Sequence, residues 1–485
     1  MDDEAVSGPP IESRRRVVIV GGGITGLAAA HRIRELAPAL DLVVLDANDT
    51  PGGVLRTVHR DGFLIEASAD SFITAVPWGP TLCRRLGMAD QLVETDRRHR
   101  RAFVVYKGRL EPIPDGLMVM APSRMLPMLT TPVLSVRGKL RMAWELFVPP
   151  GTAADESMAS FVIRRLGREA YDRLIQPLVG GIYTADPERL SLKATMPRFL
   201  DMERTHGSLI RATMLRKSLQ PQPPNGADGK AGSGARYSLF VGLEGGMTSL
   251  VEALVKRLPP DAIRRRTRVQ RLERSPGGRW IVACAEGPSL DADAVILATP
   301  VQVAGRLLEG VEPELAGRLA AIRSTSSVVV SLGYRRDQVA HPLDGFGFVV
   351  PFVERRAILS GSFSSVKFPG RSPAGTVLFR VFMGGAARPD VLDLPDDELH
   401  DLAARELADL LGITGEPCVR HLDRWPQVMP QYEVGHVERV AEIEAMAARV
   451  QGLELAGNAY HGVGVPYCIH GGEQAAERVV AALGD

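Results

Sequence analysis

The stretch "RVVIVGGGITGLAAAHRIREL" places Gly21, Gly23 and Gly26 between a β-branched run, residues 17–20, and a helical pattern that starts at Thr25. In a strand–turn–helix setting each glycine of a G-x-G-x-x-G loop has its own task. The first permits the tight turn, the second lets a pyrophosphate approach the backbone, and the third lets the helix pack on the strand. The helix N-terminus then favours the phosphate's negative charge. Gly22, Ile24 and Thr25 complete this loop as ligand-binding positions. A second apolar run, "DLVVLD", ends in Asp46, with Ala47 next to it. A carboxylate there can accept hydrogen bonds from a ribose diol. The chemistry predicted is binding of an adenine dinucleotide.

A second loaded stretch is "TDRRHRRAFVVYKG", in which four arginines and a histidine fill residues 97–101. Arginine forks suit carboxylates, to which they donate paired charge-assisted bonds. A run of positive residues also fits an ordinary solvated turn, and both readings stand at this point. The chain as a whole is balanced, with 58 Lys+Arg against 57 Asp+Glu. That balance argues against a nucleic-acid binder, which needs a broad positive field. Cys83, Cys284, Cys418 and Cys468 are scattered without CxxC spacing, so neither a disulfide framework nor a metal site is expected, and a reducing cytoplasm is. His341, His436, His461 and His470 show no Ser/His/Asp or paired-carboxylate spacing, and no catalytic residue is assigned.

Positioning these residues requires several elements. A composition of 45% hydrophobic and 24% charged residues over 485 positions fits a soluble chain of two or three lobes. The N-terminal "MDDEAVSGPPIESRRR" has no apolar core and reads as a short disordered tail. No apolar run approaches the roughly 18 residues of a membrane span, so any membrane contact is expected to be peripheral. After Asp46 the nucleotide-binding pattern breaks off. It resumes near Ser238, behind the low-complexity "QPQPPNGADGKAGSGA", which reads as a flexible linker. Short alternating strands then lead to Thr299 and Pro300. Residues 117–215 read as helical and carry Met118, Met120, Met125, Met128 and Met142, either as adaptable core or as a greasy surface. Strands return over 327–384.

Beyond the glycine loop, "ANDTPGGVLRT", with Gly52, Gly53 and Val54, resembles the second fingerprint of flavoproteins of the amine oxidase and protoporphyrinogen oxidase branch. Residues 156–199, "HPLDGFGFVVP", "RWPQVMPQYEVGH" and "LELAGNAYHGVGVPYCIHGGEQAAE" resemble the protoporphyrinogen/coproporphyrinogen oxidase family, so the likeness runs over nearly the whole chain. Departures exist: Thr50 and Val54 stand where basic residues are usual, Ser68 and Ala69 replace Gly-Pro, and Asp46 replaces Glu.

The resemblance implies FAD and a mixed α/β and α+β fold. Its parts would be a discontinuous Rossmann-like, glutathione-reductase-like FAD-binding domain (14–75, 237–305, 445–485), a mixed-sheet substrate domain (76–110, 306–444), a helical domain (111–215) that either fills its own core or associates with a membrane, and a linker (216–236). It implies flavin contacts from Ser68, Ala69, Asp70, Ser71, Thr299, Gly457, Val463, Gly464 and Val465, and an adenine contact from Val269. It also implies substrate contacts from Arg98, Arg101 and Phe346. The implied reaction removes hydride from a porphyrinogen to flavin N5, with dioxygen as acceptor and peroxide as by-product, three times over. The expected substrate is coproporphyrinogen III, with protoporphyrinogen IX as the alternative and a ferrochelatase-type enzyme downstream. A flavin amine oxidase and a non-catalytic porphyrin carrier are the rival readings.

Overall fold

The computed structural model describes residues 15–219 and 240–484. The expected N-terminal tail, residues 1–16, lies outside the described residues except for its last two, and Arg16 belongs to the first strand rather than to a tail; most of the expected linker also lies outside the described residues. The helix before that linker, Leu209–Leu219, runs four residues into it.

A five-stranded parallel sheet gathers chain from widely separated segments, in the order Ile263–Arg264, Asp41–Leu45, Arg16–Val20, Ala294–Leu297, Leu453–Leu455. Its central strands are almost wholly apolar because both faces are covered. Val17 and Ile19 join one core with the helices Ile24–Leu36, Thr248–Lys256 and Val465–Gly484. Val18 and Val20 join another, with Val301–Leu308, Pro313–Ala320, His436–Ala447 and a three-stranded antiparallel sheet. The two-residue periodicity of the strand thus builds two layers of core.

The second large sheet has seven strands, in the order Val419–Pro430, Ser324–Arg335, Thr376–Gly384, Ile358–Phe363, Gly347–Val349, Phe103–Tyr106, Arg109–Pro112. It is antiparallel except where Phe348 pairs in parallel with Phe103, so the strand after the arginine run is held inside the sheet. The helix Asp396–Leu411 covers one face with Leu399, Ala403 and Leu407.

Between these sheets in sequence lies a unit with its own core, made mostly of short helices. Met120, Met128 and Met142 are buried in it, which is the core reading of the methionine cluster. Its interior also holds an ion pair. Arg165 and Glu145 are both fully buried, and Glu145 further accepts from the Ser208 hydroxyl at 2.5 Å and the Leu209 N–H at 2.8 Å. Arg165 donates in turn to the Val148 and Gly207 carbonyls. One carboxylate therefore joins two helices and satisfies the start of a third. Arg165 also lies 3.2 Å from buried Glu203, so removing Glu145 strips this cation of one of its two carboxylates and leaves the Ser208 and Leu209 donors unpaired, at a cost of at most about 3–5 kcal/mol. Glu145→Ala is expected to lower unfolding free energy by about that amount in chemical denaturation; a loss below about 1 kcal/mol would contradict this role.

Candidate active site

Four strands of the parallel sheet deliver their carboxyl ends to one edge, the place where such sheets bind ligands. Gly21, after the first strand, has φ +109°, and a Cβ there would lie 2.4 Å from the Ala298 carbonyl oxygen. A Cβ on Gly26 would lie 1.9 Å from the Gly21 carbonyl oxygen, and one on Gly22 would lie 2.4 Å from Asp46 Oδ2. These three glycines serve the chain's own packing. Gly23 differs: a Cβ there would meet nothing within 4 Å. The helix that follows, containing Ile24 and Thr25, has no side-chain cap and no acidic residue in its first turn. Its leading N–H groups are thus offered to an anion.

The neighbouring segments complete a cradle. Gly52 donates to the Gly22 carbonyl at 2.7 Å, and a Cβ on Gly53 would lie 3.3 Å from Gly23 Cα. Val54 follows at the surface. Asp46 is buried and its Oδ1 accepts from the Asn48 backbone (2.8 Å) and side chain (3.0 Å). Ala47 is exposed beside it, and the strand that starts at Val269 adjoins through the Thr267 N–H, 2.8 Å from the Asp46 carbonyl. On the other side Thr299 keeps a buried hydroxyl without a hydrogen-bond partner. Burying an unpaired hydroxyl is costly, so this one is open to a ligand's hydrogen bond.

The C-terminal loop closes on the same edge. A Cβ on Gly457, where φ is +148°, would lie 3.8 Å from the Thr299 carbonyl oxygen. Val463 packs against the core of the helical unit, while Gly464 and Val465 open the last helix. That helix crosses the first so closely that a Cβ on Gly472 would lie 2.2 Å from the Thr25 carbonyl oxygen. The amino-terminal and carboxy-terminal glycine loops are therefore neighbours. An orphaned hydroxyl, an uncapped helix and an open surface at Gly23 fit a dinucleotide with its ring system between the two loops.

Residues 67–71 form the next wall. Ser68 Oγ donates to the Val54 carbonyl, which ties this segment to the cradle. The antiparallel sheet grips it from behind. Trp425 Nε1 donates to the Ala67 carbonyl at 2.8 Å, and Arg380 donates to the Ser68 carbonyl. Asp70 takes the Lys367 ammonium at 2.8 Å, with Arg380 at 3.4 Å and the Ser71 hydroxyl at 2.7 Å. Burial alone would push the Asp70 carboxyl up, but the Lys367 and Arg380 cations hold it well below the usual carboxylate range. Ala69 lies partly buried between these anchors. Sequence reading selected the loop but missed Lys367, Arg380 and Trp425. The available signal was the arginine at the centre of the apolar strand "TVLFRVFMG".

The arginine run is divided. Arg97 pairs with Glu94 at 2.8 Å, and Arg98, 80% exposed, pairs with Asp96 at 2.7 Å. Arg100 is 3.9 Å from Glu94. Arg101 reaches Asp344 at 3.1 Å, and its carbonyl accepts from the N–H of buried Phe346 at 2.9 Å. Arg101 alone in the run is thus anchored to the sheet's 344–349 segment. Of the histidines, His436 is buried, stacked on Tyr432 with ring centroids 4.0 Å apart, and burial pushes it down to about 4. His461 pairs with Glu444 at 2.6 Å, His470 stacks on Trp78, and His341 meets Phe103 edge-on.

The contrast among the glycines makes a test. Gly23→Val should leave the chain folded, with unchanged secondary structure and melting behaviour of the ligand-free protein, yet abolish the bound dinucleotide chromophore. A variant that purifies with a full complement of it would contradict the cradle.

A family model described as flavin containing amine oxidoreductase matches residues 24–480. A coproporphyrinogen III oxidase of Propionibacterium freudenreichii is 36% identical, over 98% of this chain and 92% of its own. A coproporphyrinogen III oxidase of Bacillus subtilis is 33% identical, over 97% of this chain and 99% of its own. Among solved structures, an Exiguobacterium protein provisionally assigned as a protoporphyrinogen oxidase superposes with a TM-score of 0.85 at 29% identity, covering 98% of this chain and 100% of that one. With a cradle that fits a dinucleotide and likeness along nearly its whole length, the chain belongs to the flavin containing amine oxidoreductases and, among them, to the porphyrinogen oxidases.

Proposed function

We propose that this oxidoreductase converts coproporphyrinogen III to coproporphyrin III. Each turnover removes six electrons and six protons and reduces three dioxygen molecules to three of hydrogen peroxide. The observation that carries the reading is the convergence of both glycine loops and residues 67–71 on one sheet edge, in a chain 33–36% identical to two coproporphyrinogen III oxidases. FAD supplies the hydride acceptor. The protein's part is to hold the macrocycle against one face and exclude water. Gain of aromaticity drives the oxidation, and no residue is assigned as proton acceptor.

In this reading the parallel sheet and its helices form a discontinuous FAD-binding domain of glutathione-reductase type, drawn from residues 14–75, 237–305 and 445–485. Gly21–Gly26 would hold the pyrophosphate, with Gly52, Gly53 and Val54 alongside. Asp46 and Ala47 would meet the adenosine ribose, and Val269 the adenine. Ser68–Ser71, Thr299, Gly457 and Val463–Val465 would border the flavin. Arg101 would exchange Asp344 for a substrate propionate, with Arg98 as an outer charge and Phe346 fixing the Arg101 backbone. A substrate with four propionates uses such cations more fully than one with two.

An exposed apolar stripe supports peripheral docking to the inner membrane face. Leu126, Leu129, Val136, Leu140, Trp144 and Phe147 are each 51–74% exposed on three successive short helices, Met125–Thr130, Val136–Ala143 and Trp144–Phe147. A cleft of about 270 Å³ containing Arg137, Arg141 and Arg168 opens beside it. Among the described residues no helix is long and apolar enough to cross a membrane. Such a stripe with a basic margin suits an anionic lipid surface. The product would pass to a ferrochelatase-type, metal-inserting enzyme.

Steady-state kinetics on one preparation should give a higher kcat/KM for coproporphyrinogen III than for protoporphyrinogen IX; the reverse order would transfer the assignment to the latter, and oxidation of amines alone would end it. Arg101→Glu should raise KM for coproporphyrinogen III roughly tenfold or more, as expected for a lost charge-assisted hydrogen bond. An unchanged KM removes Arg101 from the substrate site. Vesicles rich in phosphatidylglycerol should co-sediment the wild type but not Leu140→Glu, and equal sedimentation of both would refute docking through the stripe.

A further inference from the structure

The charges behind residues 67–71 do not balance. Asp70 and Glu66 come from the amino-terminal segment, and Lys367, Arg371 and Arg380 come from the antiparallel sheet and the turns beside it. Glu66, Arg371 and Arg380 are almost completely buried, and Lys367 and Asp70 nearly so. Glu66 is occupied by the Thr57 hydroxyl at 2.9 Å and the Met247 N–H at 2.9 Å, and burial pushes its carboxyl up. Arg371 spends two nitrogens on the Leu243 and Glu244 carbonyls, and its Nε and that of Arg380 have no hydrogen-bond partner. Three cations therefore face at most two carboxylates in a place that water screens poorly.

We infer that Lys367 is an electrostatic positioning residue: with Arg380 it sets an uncompensated positive charge behind residues 68–71, which makes the flavin bordered by that loop easier to reduce. This rests on the flavin placement proposed above. Lys367 holds the loop itself, with its ammonium 2.8 and 3.0 Å from the two Asp70 oxygens and 3.1 Å from the Ser71 hydroxyl. Ser71 in turn donates to Asp70 at 2.7 Å, so the ammonium, carboxylate and hydroxyl form a closed ring. The ring fixes the cation in place, and its field acts through space on a group bordered by the loop without contact with the substrate. A reduced flavin carries more negative charge than an oxidised one, so a fixed cation favours the reduced form.

The test compares Lys367→Met and Lys367→Gln, which remove the charge, with Lys367→Arg, which keeps it. FAD content is read from the visible spectrum, the flavin midpoint potential from dye-coupled reduction, and sulfite affinity from bleaching of the flavin band. The charge-removing variants should show a more negative potential and sulfite affinity weakened roughly tenfold, the size of one charge removed at about 10 Å under an effective dielectric constant near 20. Lys367→Arg should stay within about twofold of the wild type in sulfite affinity. Wild-type potential and sulfite affinity in Lys367→Met or Lys367→Gln would overturn the inference, as would Lys367→Arg shifting as far as they do. Should Lys367→Met lose FAD, Lys367→Gln reads the same sign. Failure of the wild type itself to carry FAD would instead overturn the flavin site.

Discussion

Backbone must lie directly on backbone at the carboxyl edge of the parallel sheet, and the rest of the site depends on that approach. A Cβ at Gly21, Gly26 or Gly472 would fall between 1.9 and 2.4 Å from a carbonyl oxygen. No side chain can relieve such overlaps, because the atoms opposed are main chain. The first strand, the first helix and the last helix therefore meet only because these positions carry none. Their meeting brings the amino-terminal loop, the 299 turn and the 457–464 loop to one place, although they stand far apart in sequence.

The second sheet is joined to this edge by polar contacts and by a small apolar cluster of Phe63, Ile65, Leu378 and Val419. Arg56 pairs with Asp423, Trp425 and Arg380 hold the Ala67 and Ser68 carbonyls, and Lys367 holds Asp70. Carboxylate, carbonyl and cation geometry fix position more narrowly than area burial does. The cost is desolvation of several charges, which makes the seam intolerant of losing any one partner. The position of residues 68–71 is thus set from the second sheet, and in the proposed reading that would fix one wall of the ring-binding space.

Legibility in the sequence followed the range of the interaction. The glycine loop, the acidic strand end at Asp46 and the Gly52–Gly53 doublet are local patterns, and the structure brings them into contact. The β-branched run at 17–20 became the sheet's centre because nothing but apolar side chains fits between two covered faces. Lys367 and Asp70 stand 297 positions apart, so no spacing could have paired them. The arginine run allowed two readings, a solvated turn and a carboxylate site, because Glu94 and Asp96, which take up Arg97, Arg98 and in part Arg100, precede it directly while Arg101 reaches distant Asp344. Met120, Met128 and Met142 are buried in the core, while neighbouring Leu126, Leu140 and Trp144 are exposed.

In the proposed function, a flavin between the two glycine loops takes electrons from a porphyrinogen. Anaerobic titration of the purified, FAD-loaded chain with coproporphyrinogen III measures this directly, with flavin absorbance and porphyrin fluorescence followed together. The account predicts that the flavin band bleaches as porphyrin fluorescence rises, one substrate reducing up to three flavins, and that admitting air restores the band with release of peroxide. A flavin band that stays intact while the porphyrinogen is bound would contradict it.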